Sequence, residues 1–371
     1  MNSPYPPRPI LLPTPKVATS AAGADGLPAP ANDGSRALLD TYGRQARDLR
    51  VSLTDKCNLR CTYCMPAEGF EWLPNQQVLT DEEVIRLITL AIQHLGIRQV
   101  RFTGGEPLLR RGLEEIISAT TQLRTDEGRT PTTAITTNAL GLENRAEKLA
   151  AAGLNRINVS LDTIDRQRFA ELTRRDRLPG VLRGIRAAHD AGLDPIKINA
   201  VVMPGVNDCD IVPLALFALD NGLQLRFIEQ MPLGPREEWR REDMITADEI
   251  IARLRTHISL SPAREPRGSA PAALWNARCP DGTTGKIGII ASVTHPFCSD
   301  CDRTRLTSDG AVRNCLFGNS ETSLRDLLRG GASDAEILQA WAGEMWRKKP
   351  GHGIDDEGFL QPDRPMSAIG G

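Results

Sequence analysis

Between residues 80 and 230 the chain repeats one pattern: an amphipathic run, a glycine, then a short apolar-rich segment. "HLGIRQVRFT", "AAGLNRINVS", "DAGLDPIKIN" and "DNGLQLRFI" all carry it. Glycine just past a helix accepts the left-handed conformation that closes it, and the apolar residue that follows packs back on the last turn. The pattern therefore predicts helix-to-strand joints at Gly96, Gly153, Gly192 and Gly222. "TDEEVIRLITLAIQHLG" opens with a capping box, Thr80 with Glu83, and sets apolar residues at 84, 87, 88, 91, 92 and 95 along one helix face. Strands are predicted at 50–53, 99–103, 133–136, 156–160, 196–202 and 224–228. Strands that alternate with helices pair in parallel through right-handed crossovers. Six such units predict an α/β fold, an incomplete (β/α)6 barrel with its site at the C-terminal ends of the strands.

From about residue 240 the rhythm changes. A helix over 246–257 leads into a Pro/Gly-rich stretch, then "GKIGIIASVTHPFCSDCDRTRLTSDGAVRNC", read as strand, loop, strand. This predicts a partial barrel over 41–240 and a C-terminal extension over 241–371 that packs on it and covers one opening, rather than another barrel unit. Residues 1–40 are rich in Pro, Ala, Gly and Ser without periodicity, the composition of a disordered tail.

Composition narrows the function. With 40% hydrophobic residues in 371, the chain can bury a sizeable core without disulfides. A net charge of −2 offers no bulk electrostatic grip on nucleic acid. No apolar run approaches the ~20 residues that span a bilayer, so no membrane is implied. There is also no apolar stretch of a secretory signal at the front. Six of the eight cysteines fall in two tight triplets, which in a reducing compartment reads as metal ligation and a cytoplasmic setting.

Cys57, Cys61 and Cys64 are spaced C-x3-C-x2-C directly after the first predicted strand. Either a distant Cys or His completes a zinc site, or three thiolates hold a 4Fe-4S cluster whose fourth iron is left for a small molecule. Cys298, Cys301 and Cys315 form a second triplet, C-x2-C-x13-C. His295 and Cys279 are candidate fourth ligands, and with the histidine the triplet makes a Cys3His zinc site; otherwise a second cluster keeps its own vacancy. Arg303 and Arg305 alternate on an extended segment and so face one way. Arg101, Lys197 and Arg226 interrupt apolar strands, and a charge there is costly unless it is paired or faces a polar cavity. Cations converging on one lumen predict a polyanionic substrate, most simply a nucleoside triphosphate. The closing Gly370 and Gly371 are either a frayed end or side-chain-free residues able to thread a narrow cavity.

"CNLRCTYC" together with "TGGEP" resembles the radical S-adenosylmethionine (SAM) superfamily. "TGGEPLLR", "RINVSLD", "RFIEQMPLG", "FCSDCDRTRL" and the terminal Gly-Gly narrow the resemblance to the GTP 3′,8-cyclase family of molybdenum cofactor biosynthesis, over nearly everything but the front tail. The resemblance implies two 4Fe-4S clusters, the first binding SAM at its open iron and the second binding GTP through guanine. Positions matching the family's SAM contacts are Tyr63, Gly105, Ser160 and Met231, with Glu106 able to accept from an ammonium. Those matching its GTP contacts are Arg50, Arg101, Thr136, Lys197, Arg303, Thr304 and Arg305, and Arg303, Arg305, Gly370 and Gly371 are the implied aids to catalysis. Family chemistry implies that a 5′-deoxyadenosyl radical removes the ribose C3′ hydrogen and that the carbon radical attacks guanine C8. Implied partners are a reductase or flavodoxin-type electron donor, a downstream cyclic pyranopterin monophosphate synthase and a second copy in a homodimer. Ala139 departs from the family's usual glycine, and Cys209 and Cys279 match no family role. A peptide-modifying radical SAM maturase with an auxiliary cluster would share the first triplet and "GGEP", but not the arginine pair or the Gly-Gly ending. A zinc-stabilised nucleotide-binding protein is the non-catalytic alternative.

Overall fold

The structure is a computed structural model and describes residues 27, 34–234, 239–357 and 359–370. Most of the front segment read as a tail, and Gly371, lie outside the described residues. Six units run in order: β1 (Asp48–Ser52), α1 (Asp81–His94), β2 (Gln99–Thr103), α2 (Leu113–Gln122), β3 (Thr132–Thr137), α3 (Ala146–Ala151), β4 (Arg156–Ser160), α4 (Arg166–Thr173), α5 (Leu178–Asp190), β5 (Ile196–Val202), α6 (Ile211–Asp220) and β6 (Gln224–Glu229). The six strands pair in parallel in chain order. The capping box on α1 is formed, with Glu83 N donating to Thr80 Oγ1 at 3.2 Å and Thr80 N to Glu83 Oε2 at 2.8 Å. All four joint glycines have positive φ.

Alternation along the strands separates two faces. Leu49, Val51, Val100, Phe102, Ile157, Val159, Ile196 and Ile198 belong to the core shared with the helices. The alternate positions, Asp48, Arg50, Ser52, Arg101, Asn158 and Ser160 among them, face inward. An apolar outer face is what a helix-covered parallel sheet requires, and the polar inner face leaves a lumen rather than a filled barrel.

The C-terminal part joins the sheet of the six units. After α7 (Ala247–Leu254), β7 (Ser259–Pro262) and β8 (Ala273–Arg278) lead to β9 (Thr284–Ile290), which pairs in parallel with β6. The chain then crosses to β10 (Arg303–Leu306), which pairs in parallel with β1. β11 (Ala311–Arg313) and β12 (Thr322–Ser323) continue antiparallel from β10. Both edges of the six-stranded wall are thus extended within one 12-stranded sheet, and neither open edge is left to pair with a foreign strand. α8 (Leu324–Arg329), α9 (Asp334–Trp346) and the short α10 (Met366–Ile369) complete the order. Arg364 anchors the last segment through both carboxylate oxygens of Asp309, at 3.0 and 2.9 Å.

Ala139 adopts the left-handed conformation usual for glycine, with φ +63°. That conformation costs an L-residue roughly 1–2 kcal/mol. Here the methyl is fully buried and Thr137 Oγ1 accepts from Ala139 N at 3.0 Å, so the turn after β3 is held in place.

Candidate active site

The first triplet leaves the C-terminal end of β1 and, with the loop after β2, walls a cavity of about 180 Å³. Cys57, Cys61, Cys64, Tyr63, Gly105, Ser160, Met231 and Thr136 all line it, so every position matched to a SAM contact meets the three thiols in one place. Two glycines make this possible. A Cβ on Gly104 would lie 2.3 Å from Thr54 O, and one on Gly105 2.2 Å from Lys56 O. Their freedom lets the loop press on the backbone of residues 54–56, where Gly105 N and Glu106 N donate to Thr54 O and Lys56 O at 2.7 and 2.8 Å. Glu106 is likewise a brace. It accepts from Thr137 Oγ1 at 2.6 Å, Asn138 N at 2.7 Å and Leu108 N at 2.9 Å, and burial pushes its carboxyl up to about 7.

Tyr63 donates to Asp162 Oδ2 at 2.9 Å, and Asp162 Oδ1 accepts from Val201 N at 2.9 Å, so the ring is fixed against β4 and β5. Asp162 closes "RINVSLD" and was legible there as a strand-end carboxylate, although sequence reasoning passed over it. Leu59 N donates to Cys57 Sγ at 3.5 Å. Burial and then Cys57 push the Cys64 thiol up to about 12, and burial and then Cys64 raise Cys61 well above the ordinary range. Three thiolates can share this space only with a cationic centre that displaces their protons, which is the donor set of an iron–sulfur cluster.

The second triplet lies at the other end of the lumen. Cys298 and Cys301 precede β10, whose first residue Arg303 pairs with Asp48 at the start of β1, and Cys315 follows β11. Lys348 is buried and donates to Cys301 Sγ at 3.2 Å and to Arg303 O at 3.0 Å. Burial would raise Cys301, but Lys348 and then Arg303 outweigh it and bring the thiol to about 7. Arg44 donates to Cys298 O at 2.7 Å and Pro350 O at 2.9 Å. Neither Lys348 nor Arg44 stands in a motif, and only folding brings them here. Cys279 packs in the hydrophobic core, and Cys209 is exposed.

Between the triplets the inner face is cationic. Arg305, Arg50 and Arg101 stand level across β10, β1 and β2, while Lys197 and Arg226 face in from β5 and β6. Burial first, then Arg101 and Arg305, drives Arg50 well below its ordinary value; Arg226 falls to about 9 and Lys197 to about 8. Arg50 Nε, Arg101 Nε, Arg226 Nε, Thr136 Oγ1 and Asn199 Oδ1 are buried without a hydrogen-bond partner. Each such atom costs roughly 1–3 kcal/mol, and a polyanion carrying many acceptor oxygens would satisfy the donors together. Arg303 faces the second triplet, with Nη1 3.5 Å from Cys301 Sγ and its guanidinium over Phe297. Thr304 does not join the others: its hydroxyl lies on the outer face and accepts from Trp341 Nε1 at 3.0 Å. Gly370 enters the lumen, where its carbonyl accepts from Arg305 Nη1.

A half-open parallel wall carrying C-x3-C-x2-C at its first strand defines a radical SAM enzyme, and residues 51–218 match the Radical SAM superfamily model while 223–354 match Molybdenum Cofactor Synthesis C. The GTP 3′,8-cyclase of Corynebacterium glutamicum (strain R) is 66% identical over 371 residues, covering 100% of this chain and 98% of that one. The GTP 3′,8-cyclase of Mycolicibacterium smegmatis is 57% identical over 361 residues, covering 97% and 98%. This chain belongs to the GTP 3′,8-cyclase family. It is accordingly an enzyme with a 4Fe-4S cluster and SAM as cofactors, and a second cluster accords with its Molybdenum Cofactor Synthesis C segment. The crystal structure of Streptococcus suis SuiB has a TM-score of 0.54 at 16% identity, covering 84% of this chain and 68% of that one, a likeness of fold alone. No helix among the described residues is long and apolar enough to cross a membrane.

Proposed function

We propose that this chain converts GTP to (8S)-3′,8-cyclo-7,8-dihydroguanosine 5′-triphosphate between two clusters held at opposite ends of its lumen. The observation that carries this reading is the placement of two thiol triplets on either side of a buried, ligand-hungry set of cations. Cys57, Cys61 and Cys64 hold the first cluster, and Tyr63, Gly105, Ser160 and Met231 surround SAM. Cys298, Cys301 and Cys315 hold the second. Once bound, SAM and the first cluster supply a radical able to remove hydrogen from the ribose. The protein's own part is to orient and exclude. Arg50, Arg101, Lys197, Arg303 and Arg305 bind the nucleotide between them and fix it, with Thr136 at the boundary with the SAM cavity. Arg305 and Gly370 close the site around it, and Gly371 aids catalysis. A reductase or flavodoxin-type donor supplies electrons, the product passes to a cyclic pyranopterin monophosphate synthase, and the enzyme works in the cytoplasm as a homodimer. The partial barrel over 41–240 and the segment over 241–371 act as one catalytic unit because they share a sheet.

Anaerobically purified protein given GTP, SAM and reductant is expected to release 5′-deoxyadenosine and the cyclised nucleotide in equal amounts. Its iron and sulfide are expected at roughly eight each per chain, four per cluster. Zinc in place of iron, or deoxyadenosine formed without any nucleotide product, would sink the reading.

Lys197 gives the site a pH limit. Burial, then Arg226, Arg156 and Arg101, lower its ammonium to about 8, so it is charged below that value and neutral above it. kcat/KM for GTP reports ionisations of the free enzyme and is expected to fall roughly tenfold as pH rises through 8. Lys197→Arg keeps the charge and is expected to move this limb upward; an unchanged profile in that variant would exclude Lys197 as its source.

A further inference from the structure

Asp48 opens β1 on its inner face, and its neighbours Leu49 and Val51 belong to the outer core. It is buried, and among the described residues of β1 to β5 and β10 it is the only carboxylate. Burial would raise it, but Arg101, Arg50 and Arg303 together hold it below its ordinary value, so it is ionised at neutral pH and accepts only. A plain counter-ion would sit at hydrogen-bonding distance from one of these guanidinium groups. Instead Arg101 Nη2 is 3.8 Å from Oδ2, the carboxylate accepts a side-chain hydrogen bond from Gln99, and Oδ1 is left without a hydrogen-bond partner.

The position matters as much as the vacancy. Asp48 is level with Arg303, whose guanidinium reaches Cys301, so it marks the end of the lumen nearest the second triplet. A carboxylate repels phosphate. A nucleoside triphosphate entering this lumen therefore turns its phosphates towards the cations elsewhere on the wall and its base towards Asp48. Among the common nucleobases only guanine carries an amino group on C2, a donor for a buried acceptor.

Resting on the reading of GTP as substrate, we propose that Asp48 is a specificity-determining residue whose Oδ1 accepts from the 2-amino group of guanine and so selects GTP over triphosphates that lack it. Rejection is strong in such a site because the wrong base leaves a buried charge unpaired.

Equilibrium dialysis of the cluster-loaded protein, without reductant, tests this with GTP, inosine triphosphate and xanthosine triphosphate. The natural protein is expected to hold GTP roughly ten- to hundredfold more tightly than inosine triphosphate, which lacks only that amino group. Asp48→Asn is expected to erase the margin by weakening GTP alone. It is also expected to bind xanthosine triphosphate, which carries oxygen on C2, more tightly than the natural protein does. Equal affinity of the natural protein for GTP and inosine triphosphate overturns the assignment with no variant needed. A parallel loss of both in Asp48→Asn overturns it too, leaving Asp48 as a counter-charge for the arginines. If the natural protein binds none of the three, the substrate reading itself has failed instead.

Discussion

Gly370→Ala is expected to lower cyclised product by about a hundredfold while leaving thermal unfolding within about 1 kcal/mol of the natural protein. Gly370 has φ +69°, and a Cβ there would lie 2.4 Å from Thr103 Cγ2 and 2.8 Å from Ser52 Oγ. Both are inward-facing residues at the C-terminal ends of β2 and β1, so neither can retreat without shifting the barrel wall. The chain end can move more cheaply, and so the tail should leave the lumen. Its departure removes the carbonyl that accepts from Arg305 and the backbone hydrogen bond from Ser367 that steadies Cys64. One small displacement thus reaches both the substrate cations and the first triplet, and a misplacement of about 1 Å is enough to cost two orders of magnitude in rate. Chromatography of the product beside a melting curve separates the two effects. Activity within twofold of the natural protein would mean that the tail's position is irrelevant to turnover.

Arg305→Ala is expected to lower kcat/KM for GTP by about 10²–10³-fold, the cost of removing one buried charged partner of a polyanion. Burial holds Arg305 down to about 10 against the opposing pull of Cys315, with Arg303 lowering it further, so it remains charged at neutral pH. The same change is expected to stabilise the GTP-free protein. Arg50 is driven well below its ordinary value by burial, Arg101 and Arg305, and deleting one of these cations relieves the others. Loss of activity with equal or higher melting temperature and full iron identifies Arg305 as a substrate group. A proportional loss of iron would make it a support for Cys301 and Cys315.

These effects show which features were readable along the chain. The α1 capping box and the closing glycines are local contacts between residues three or four apart, and they formed where the pattern placed them. The first triplet was readable because all three thiols fall within eight residues of one loop, next to the strand end that carries them. The inward arginines were readable as charges in apolar strands. Between them, the alternation that turns Arg303 and Arg305 inward turns the Thr304 side chain towards Trp341, which leaves its backbone as the part that faces the lumen's occupant. Gly104 and Gly105 press on the protein's own backbone at residues 54–56, a contact between segments some fifty residues apart that no local pattern marks.

The sequence by itself determined the six helix–strand units, the cysteines available as ligands and the sign of the lumen's charge, because each depends on periodicity or on neighbours a few positions away. Tertiary structure alone decided that β9 and β10 close on opposite edges of one sheet, which sets the second triplet across the lumen from the first. It also brought Lys348 to a thiol 47 residues earlier in the chain and Gly370 to an arginine 65 residues earlier. Such contacts depend on strand pairing across hundreds of residues, and hydrogen-bonding edges of equal chemistry leave no local mark of which partner they will take.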